Sequence, residues 1–168
     1  MLKIIPTFIL LFFVVSCAGS LTKLPLSERT IHASKELPGQ TQQQLLDATK
    51  SWIEKYFTAY EEPISFEDRQ EGTISGNGLI AYPCSWLECL TKGDLKVTFT
   101  MRVDAQDGLL RTRFLNIQLS TPASGMDPVY RGGTNAPLWS KRDMDIVRPK
   151  LLELNDKLIT FLLRNGDK

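Results

Sequence analysis

The most restrictive feature of the sequence is a strict alternation of apolar and polar residues over Leu95–Asp104. A period of two places alternate side chains on opposite faces of a β-strand, so this segment predicts a strand with one buried face and one open face. The apolar residues are Leu95, Val97, Phe99, Met101 and Val103, and the polar ones are Lys96, Thr98, Thr100, Arg102 and Asp104. A sheet with one open face is typically antiparallel, because the crossover helices of a parallel sheet cover both faces.

Neighbouring segments predict the remaining strands of this sheet. Besides a weak strand in Ser27–Leu37, three segments follow the pattern of a meander, and they are Ile64–Arg69, Gly72–Tyr82 and Leu109–Ser120. Short connections between successive strands favour antiparallel pairing of neighbours. The apolar residues of the last segment change phase, and a bulge near Phe114 would bring them onto one face.

Two amphipathic segments predict helices that cover one face of the sheet. The first begins after the capping box Thr41-Gln42-Gln43-Gln44 and extends to about Tyr60. Its predicted inner face consists of Leu45, Trp52, Ile53, Tyr56, Phe57 and Tyr60. The second spans about Lys141–Arg164, with Pro149 in its first turn or at a kink. The sequence therefore predicts an α+β fold with two helices on one face of an antiparallel sheet and the other face open.

Three motifs suggest a family for this element order. They are Glu36-Leu37-Pro38-Gly39-Gln40-Thr41, Trp52-Ile53-Glu54-Lys55-Tyr56-Phe57 and Phe66-Glu67-Asp68-Arg69-Gln70-Glu71-Gly72-Thr73-Ile74-Ser75-Gly76. Together they resemble a bacterial envelope family described as a domain of unknown function with a TATA-binding-protein-like fold, over about Ser27–Ser120. The resemblance implies a β-α-β-β-β-β-α order and supplies no catalytic residue. A fold name does not carry DNA binding with it.

The amino-terminal segment predicts a lipoprotein signal. Its apolar run, Ile4–Val15, is too short to span a membrane and ends in Val14-Val15-Ser16-Cys17. This tetrapeptide resembles the bacterial lipobox, which implies cleavage after Ser16 and a diacylglyceryl thioether and an N-acyl chain on Cys17. An ordinary signal peptide with an incidental cysteine is the alternative. We therefore predict a signal peptide in residues 1–16, a lipidated tether in 17–26 and one domain in 27–168.

The residue after Cys17 and the charge of the mature chain bear on location and partners. Ala18 stands where an aspartate would favour inner-membrane retention, so the resemblance implies an outer-membrane protein that faces the periplasm. The chain has 20 Lys and Arg and 19 Asp and Glu, and loss of Lys3 with the signal leaves 19 of each. A neutral chain anchored in the envelope is not expected to bind nucleic acid.

Residues that commonly carry catalysis or bind metals are scarce. His32 is the only histidine among the 168 residues, whereas metal sites usually need several His or Cys ligands. We therefore expect a non-enzymatic binding or scaffolding module with no metal and no cofactor beyond the lipid. Its partners would be the membrane, through the anchor, and an envelope protein or an anionic or glycan ligand.

Two other functions stay open. One is an enzyme that acts on envelope glycans through a carboxylate pair, and the other is a carrier with an apolar cavity between sheet and helices. The candidate pairs are Glu61/Glu62, Glu67/Asp68 and Asp143/Asp145.

Cys84 and Cys89 lie between the second and third strands of the predicted meander. In an oxidising envelope, two cysteines this close in sequence most often pair, so we expect a structural disulfide. A reduced pair and a redox site are the alternatives.

The candidate binding surface is the open face of the sheet. Its predicted residues are Thr98, Thr100, Arg102, Arg111 and Arg113. Three arginines on one face suit an anionic or carbohydrate partner. The more common explanation of such a pattern is a solvated face neutralised by Glu67 and other acids. The segment Thr121–Ser140 is long and irregular, as functional or mobile loops often are, and could cover this face.

Overall fold

The computed structural model describes residues 24–85, 89–90, 94–121, 135–138 and 140–166. The predicted signal peptide, Cys17 and most of Thr121–Ser140 lie outside these residues. Within the described ranges, no helix has both the length and the apolar composition that a membrane crossing requires.

Six strands and two α-helices form the described part of the chain. In order they are a short 3-10 helix (Leu26–Arg29), β1 (Ile31–Glu36), α1 (Gln42–Tyr56), β2 (Ile64–Asp68), β3 (Thr73–Ala81), β4 (Lys96–Gln106), β5 (Leu109–Ser120), β6 (Asn135–Pro137) and α2 (Lys141–Gly166). All strand pairs are antiparallel, and the sheet order is β1-β5-β4-β3-β2 with β6 also paired to β5. The predicted α+β architecture is confirmed, although the sequence did not predict β6.

Only every second residue of the central strands points towards the helices. On β4 the buried residues are Val97, Phe99, Met101, Val103 and Ala105, and they alternate with half-buried polar residues. On β5 the pairing shifts between Thr98 and Thr100, so that Phe99 opposes both Asn116 and Ile117. Asn116 has a φ of 51°, a left-handed conformation that asparagine tolerates better than most residues. The predicted bulge near Phe114 is therefore present, and it keeps both Phe114 and Ile117 in the core.

Helix α1 begins as the sequence predicts and ends earlier. The Thr41 side chain accepts a hydrogen bond from the Gln44 backbone N–H, and the Gln44 side chain accepts one from the Thr41 N–H. The helix ends at Tyr56, so the prediction that it extends to Tyr60 was wrong. Tyr56 and Tyr60 are 49% and 37% exposed rather than part of the inner face. Beyond Tyr56 the chain leaves the helical period, which removes Tyr60 from the face that Trp52 shares.

Aromatic rings join α1 to the sheet. The centroid of Phe57 lies 5.4 Å from that of Trp52 and 5.7 Å from that of Phe99, and Phe99 lies 5.6 Å from Phe114. All three pairs meet edge to face, which is a favourable geometry for aromatic quadrupoles. The layer between helix and sheet is filled by this chain of rings.

Helix α2 completes the cover of the same face. Its buried residues are Met144, Val147, Leu151, Asn155, Leu158, Ile159 and Leu162. Pro149 lies inside the helix and is exposed, so of the two predicted places the first turn is excluded and a position within the helix, where a kink was predicted, is found. With α1 and α2 on one face, the opposite face of the sheet carries the outward-pointing polar residues.

Candidate binding face of the sheet

The five residues predicted for a binding surface all lie on the face that the helices leave open. Thr98, Thr100 and Arg102 alternate with buried residues of β4, and Arg111 and Arg113 alternate with buried residues of β5. The bulge in β5 begins after Leu115, so the outward parity of both arginines is preserved up to that point. The structure therefore brings the three arginines together at one end of the face and the two threonines towards the other.

Asp104 holds two of the arginines in place. Arg102 and Arg113 are direct cross-strand partners, an arrangement in which like charges repel. Asp104 Oδ1 accepts hydrogen bonds from Arg102 Nε at 3.1 Å and from Thr73 Oγ1 at 2.9 Å. Its Oδ2 accepts one from Arg113 Nη2 at 2.6 Å. Both oxygens of this carboxylate are thus engaged, and its charge offsets part of the repulsion.

The protonation of Asp104 follows from the same contacts. Its burial acts to raise the pKa, because a partly buried carboxylate is poorly solvated. The hydrogen bonds from Thr73, Arg113 and Arg102 outweigh burial and hold the pKa of Asp104 below its ordinary value of 3.8. Asp104 is therefore a carboxylate at neutral pH.

Glu67 does not neutralise this face, contrary to the alternative that named it. Glu67 of β2 lies directly opposite Ile74 of β3, whose side chain points into the core. The Glu67 side chain therefore lies on the helix side of the sheet. There Glu67 binds Lys50 at 2.7 Å and Arg69 at 2.9 Å. The hydrogen bond from Lys50 is the main reason why the pKa of Glu67 lies below its ordinary value.

Strand β1 adds two residues to the face that the sequence did not connect with the arginines. His32 lies directly opposite Arg113, and Ser34 lies directly opposite Arg111. Both side chains are exposed. The parity of His32 and Ser34 was evident in the sequence, but the pairing of β1 with β5 joins distant segments and had no local signal.

These strands enclose an open groove of about 530 Å³, which we call the edge groove. It is lined by His32, Ala33, Ser34, Asp104, Arg111, Thr112 and Arg113. Arg111 is exposed and forms no ion pair among the residues that the structure describes. The edge groove and the adjoining Arg102 therefore combine three guanidinium groups with one carboxylate.

The rest of the open face is polar, with two exposed apolar side chains. Thr100 Oγ1 donates a hydrogen bond to Asn77 Oδ1 at 3.1 Å and accepts one from Asn116 Nδ2 at 3.5 Å. Phe66 is 50% exposed and Leu79 is 38% exposed. Two further acids, Glu36 and Asp68, lie at the borders of this face, and Asp68 Oδ1 accepts hydrogen bonds from two backbone N–H groups of the following turn.

Two of the three carboxylate pairs named from the sequence have members in different surroundings, and the third pair lines one groove. Glu67 and Asp68 are consecutive on β2 and point to opposite faces. Asp143 accepts a hydrogen bond from the Tyr82 hydroxyl at 2.6 Å, whereas Asp145 pairs with Lys141 at 2.7 Å. Glu61 and Glu62 line a different open groove, beside Glu54 and Tyr60. Among the described residues, no group of three or more His, Cys, Asp or Glu could hold a metal ion.

Cys84 and Cys89 form a disulfide, in agreement with the predicted pairing. Their Cα atoms are 5.2 Å apart, and the Cys89 backbone N–H donates to the Ser85 carbonyl at 2.9 Å. The bond closes a short turn in the connection between β3 and β4. It lies beyond the end of β3 and takes no part in the edge groove.

Fold and face together define an α+β protein whose antiparallel sheet is covered by two helices on one side and carries a polar, locally basic surface on the other. The chain belongs to the family described as "Domain of unknown function (DUF4468) with TBP-like fold", whose model matches residues 33–120, more than half of its length. The resemblance carried by the three sequence motifs is thereby confirmed. The matched region includes Ser34, Asp104 and all three arginines of the open face.

Two solved structures share this fold with the chain. One is a DUF4468 family protein from Bacteroides ovatus ATCC 8483, with a TM-score of 0.54, 15% identity, and coverage of 87% of this chain and 91% of that one. The other is a TBP-like protein from Parabacteroides distasonis ATCC 8503, with a TM-score of 0.53, 9% identity, and coverage of 83% and 92%. At such identities the likeness shows the fold alone. The search of curated proteins finds no match.

Proposed function

We propose that this protein is a lipid-anchored bacterial envelope protein whose open sheet face binds an anionic partner without catalysing a reaction. The observation that carries the proposal is the convergence of Arg102, Arg111 and Arg113 on one face with Asp104 between two of them. Arginine presents five donors in a planar fork that matches the oxygens of carboxylates and phosphates. At the end of the face formed by the edge groove and Arg102, three guanidinium groups adjoin one carboxylate, so unused donors remain for such a partner.

The charge distribution supports an anionic ligand on this face in particular. The side chains predicted for the mature protein sum to zero, so the protein as a whole exerts no long-range attraction on anions. A local excess of positive charge acts over about 8–10 Å at physiological salt. Binding is therefore expected to depend on contact with the arginines and to weaken as salt is added.

The packed interior supports a binding module over a carrier, and the divergence of Glu67 and Asp68 argues against a hydrolase that would use this pair. Rings of Trp52, Phe57, Phe99 and Phe114 occupy the layer between α1 and the sheet, where a carrier would need an apolar cavity. The carboxylates of Glu67 and Asp68 diverge to opposite faces. A glycosidase would need two carboxyl groups roughly 5–9 Å apart around one substrate.

The predicted anchor would keep the domain close to a membrane. Leu24 already packs into the core, and six residues (18–23) lie between it and Cys17. The seven Cα–Cα steps from Cys17 to Leu24 span at most about 25 Å when extended, so the domain would remain near the lipid surface. With Ala18 after the cysteine, the outer membrane facing the periplasm is the proposed location, and nucleic acid is not among the proposed partners.

The test replaces the three arginines together. We expect R102Q/R111Q/R113Q to lose salt-sensitive binding to polygalacturonate, an anionic glycan, by at least about tenfold, because each guanidinium contributes charge-assisted hydrogen bonds. The control is K35Q/K55Q/R164Q, which removes the same charge from exposed positions of β1, α1 and α2 outside the open face. Affinity would be measured at two salt concentrations, with crosslinking in intact cells as a second readout.

Equal loss of binding in both triple variants would show that binding depends on the total charge of the protein and not on the open face. Unchanged binding in R102Q/R111Q/R113Q would overturn the role of the open face. Unfolding of each variant in denaturant would verify that it retains the native fold.

A further inference from the structure

We propose that the edge groove is a binding site for a tetrahedral oxyanion, namely a phosphate group that is either free or esterified. This inference rests on the proposed function and narrows it to one subsite and one ligand class. Its centre is the β1–β5 pair, where His32 and Ser34 oppose Arg113 and Arg111. Neither His32 nor Ser34 was part of the surface predicted from the sequence.

The donors of the edge groove come from two strands. Side chains directly opposite each other in an antiparallel pair have Cβ atoms roughly 5 Å apart, so the Ser34 hydroxyl and the Arg111 guanidinium can reach one ligand. His32 is the diagonal neighbour of Arg111 on the same face, and its ring can supply a further N–H. Ser34, Arg111 and His32 thus line one groove from two neighbouring strands.

This arrangement favours phosphate over a carboxylate. A carboxylate has two oxygens in a plane, and the fork of Arg111 alone would satisfy both. A phosphate offers at least two charged oxygens and further acceptors in a tetrahedral arrangement. It can therefore accept from Arg111 and from the β1 side chains at the same time.

Asp104 lines the edge groove and would repel an anion if its charge were uncompensated. Both of its oxygens already accept hydrogen bonds from guanidinium groups, Oδ1 from Arg102 and Oδ2 from Arg113. Two positive charges thus adjoin its single negative charge. Arg111 lies directly opposite Asp104 but forms no ion pair with it or with another described residue, so its donors remain available to the ligand.

The experiment is a titration of the ¹⁵N-labelled full chain, held in a non-ionic detergent because of its apolar amino terminus. Sodium phosphate is added at constant ionic strength, and resonances of Ser34, His32 and Arg111 are followed. We expect saturable shifts at these positions, and weaker ones with sodium acetate. R111Q should weaken phosphate binding about tenfold, and S34A about threefold, in proportion to the hydrogen bonds removed.

The control is K35Q, which removes one positive charge from the neighbouring residue on the opposite face of β1. K35Q should bind phosphate within about twofold of the wild-type chain. Phosphate binding that survives in R111Q, or that falls equally in K35Q, would overturn the inference. Acetate binding as tight as phosphate binding would overturn the preference for a tetrahedral anion.

Two further titrations distinguish an esterified phosphate from a free one, and they test the phosphate site separately from the proposed function. Binding of glycerophosphoglycerol, a soluble phosphodiester headgroup, would indicate an esterified ligand, and binding of inorganic phosphate alone would indicate a free one. Arginine-dependent binding of polygalacturonate without any phosphate site would leave the proposed function standing and remove this inference. If neither polygalacturonate nor phosphate binds, both the proposed function and the phosphate site are overturned.

Discussion

Asp104 is the residue on which the geometry of the basic face depends. It lies between Arg102 and Arg113, which would otherwise face each other across β4 and β5 as like charges. Thr73 adds a hydrogen bond from a buried hydroxyl and fixes the carboxylate from the β3 side. The same carboxylate therefore stabilises the sheet and limits how strongly the face attracts anions.

Replacing Asp104 should separate these two effects. We expect D104N to lower the free energy of unfolding by about 1–2 kcal/mol, because it removes charge-assisted hydrogen bonds and leaves two arginines opposed. The same variant should bind polygalacturonate more tightly, since Arg102 and Arg113 are released. Urea unfolding and a binding titration would measure both, with D156N as the matched loss of an exposed acid on α2. Lower affinity in D104N would contradict the proposed role of the arginines.

The pKa of Asp104 adds a pH dependence with a defined sign. The folded-state pKa lies below the ordinary value of 3.8, so the native protein binds fewer protons than the unfolded chain near that pH. The stabilisation by Asp104 is complete above about pH 4 and disappears as the pH falls through the lower, folded-state pKa. In urea titrations, the stability difference between wild type and D104N should therefore shrink below pH 4 and be constant from there to neutral pH.

At the scale of elements, two glycines of β3 allow α1 to approach the sheet. A Cβ atom added at Gly76 would lie 2.8 Å from Ile53 Cγ2 of α1. A Cβ atom added at Gly78 would overlap the ring of Phe99, and it would lie 3.2 Å from the ring of Phe57. The absence of a side chain at Gly76 and Gly78 is therefore what leaves room for Ile53 and the aromatic rings.

This packing predicts that even an alanine side chain at position 78 lowers the stability of the fold. We expect G78A to destabilise the fold by about 1–3 kcal/mol, because the added methyl group would overlap Phe99 and crowd Phe57, both of which are buried. The control is L79A, the next residue along β3, which points to the open face and should change stability by less than about 1 kcal/mol. Thermal and urea unfolding would measure both variants. A G78A protein as stable as the wild type would show that the aromatic layer can rearrange.

Elements with an uninterrupted pattern were the predictable part of this fold. Strand β4 alternates without a break, and its faces agree with the sequence, whereas β5 required a bulge whose position at Asn116 depends on pairing with Phe99. Strand β6 has three residues and no pattern of its own, so it forms only because β5 offers a free edge.

The residues of the edge groove could likewise be predicted only where a single strand determines them. The parity that turns Arg111 and Arg113 outward can be read from β5 alone, once the bulge is allowed. The inclusion of His32 and Ser34 depends on which strand lies beside β5, and this neighbour is set by long-range packing. Sequence reasoning thus found the arginines of the face and missed half of the groove between β1 and β5.

At the scale of the whole molecule, the entry of the tether and the edge groove occupy different ends of β1. The 3-10 helix before β1 packs beside the bulged part of β5, where Leu26, Arg29, Asn116 and Gln118 line one groove. Ser34 lies four residues beyond Thr30, a distance of about 13 Å along an extended strand. A protein held by its amino terminus would therefore present the edge groove away from the point of attachment.

This orientation relative to a membrane depends on the predicted anchor at Cys17. Two or three acyl chains on Cys17 would hold the domain at the membrane far more firmly than one chain, because each buried methylene contributes about 0.8 kcal/mol. We expect C17S to lack acyl modification and to be found in the soluble fraction or as unprocessed precursor. Intact mass distinguishes these outcomes, because only the precursor retains residues 1–16.

The matched control is C84S/C89S, which removes the other two cysteines and should leave the protein acylated and in the membrane fraction. Its fold should lose only about 2 kcal/mol, the stabilisation expected from so short a disulfide loop. Incorporation of labelled fatty acid would be compared in wild type, C17S and C84S/C89S. An unmodified mature amino terminus in the wild type, or acyl label that persists in C17S, would show that attachment does not occur at Cys17 and that the edge groove is not held near a membrane by this residue.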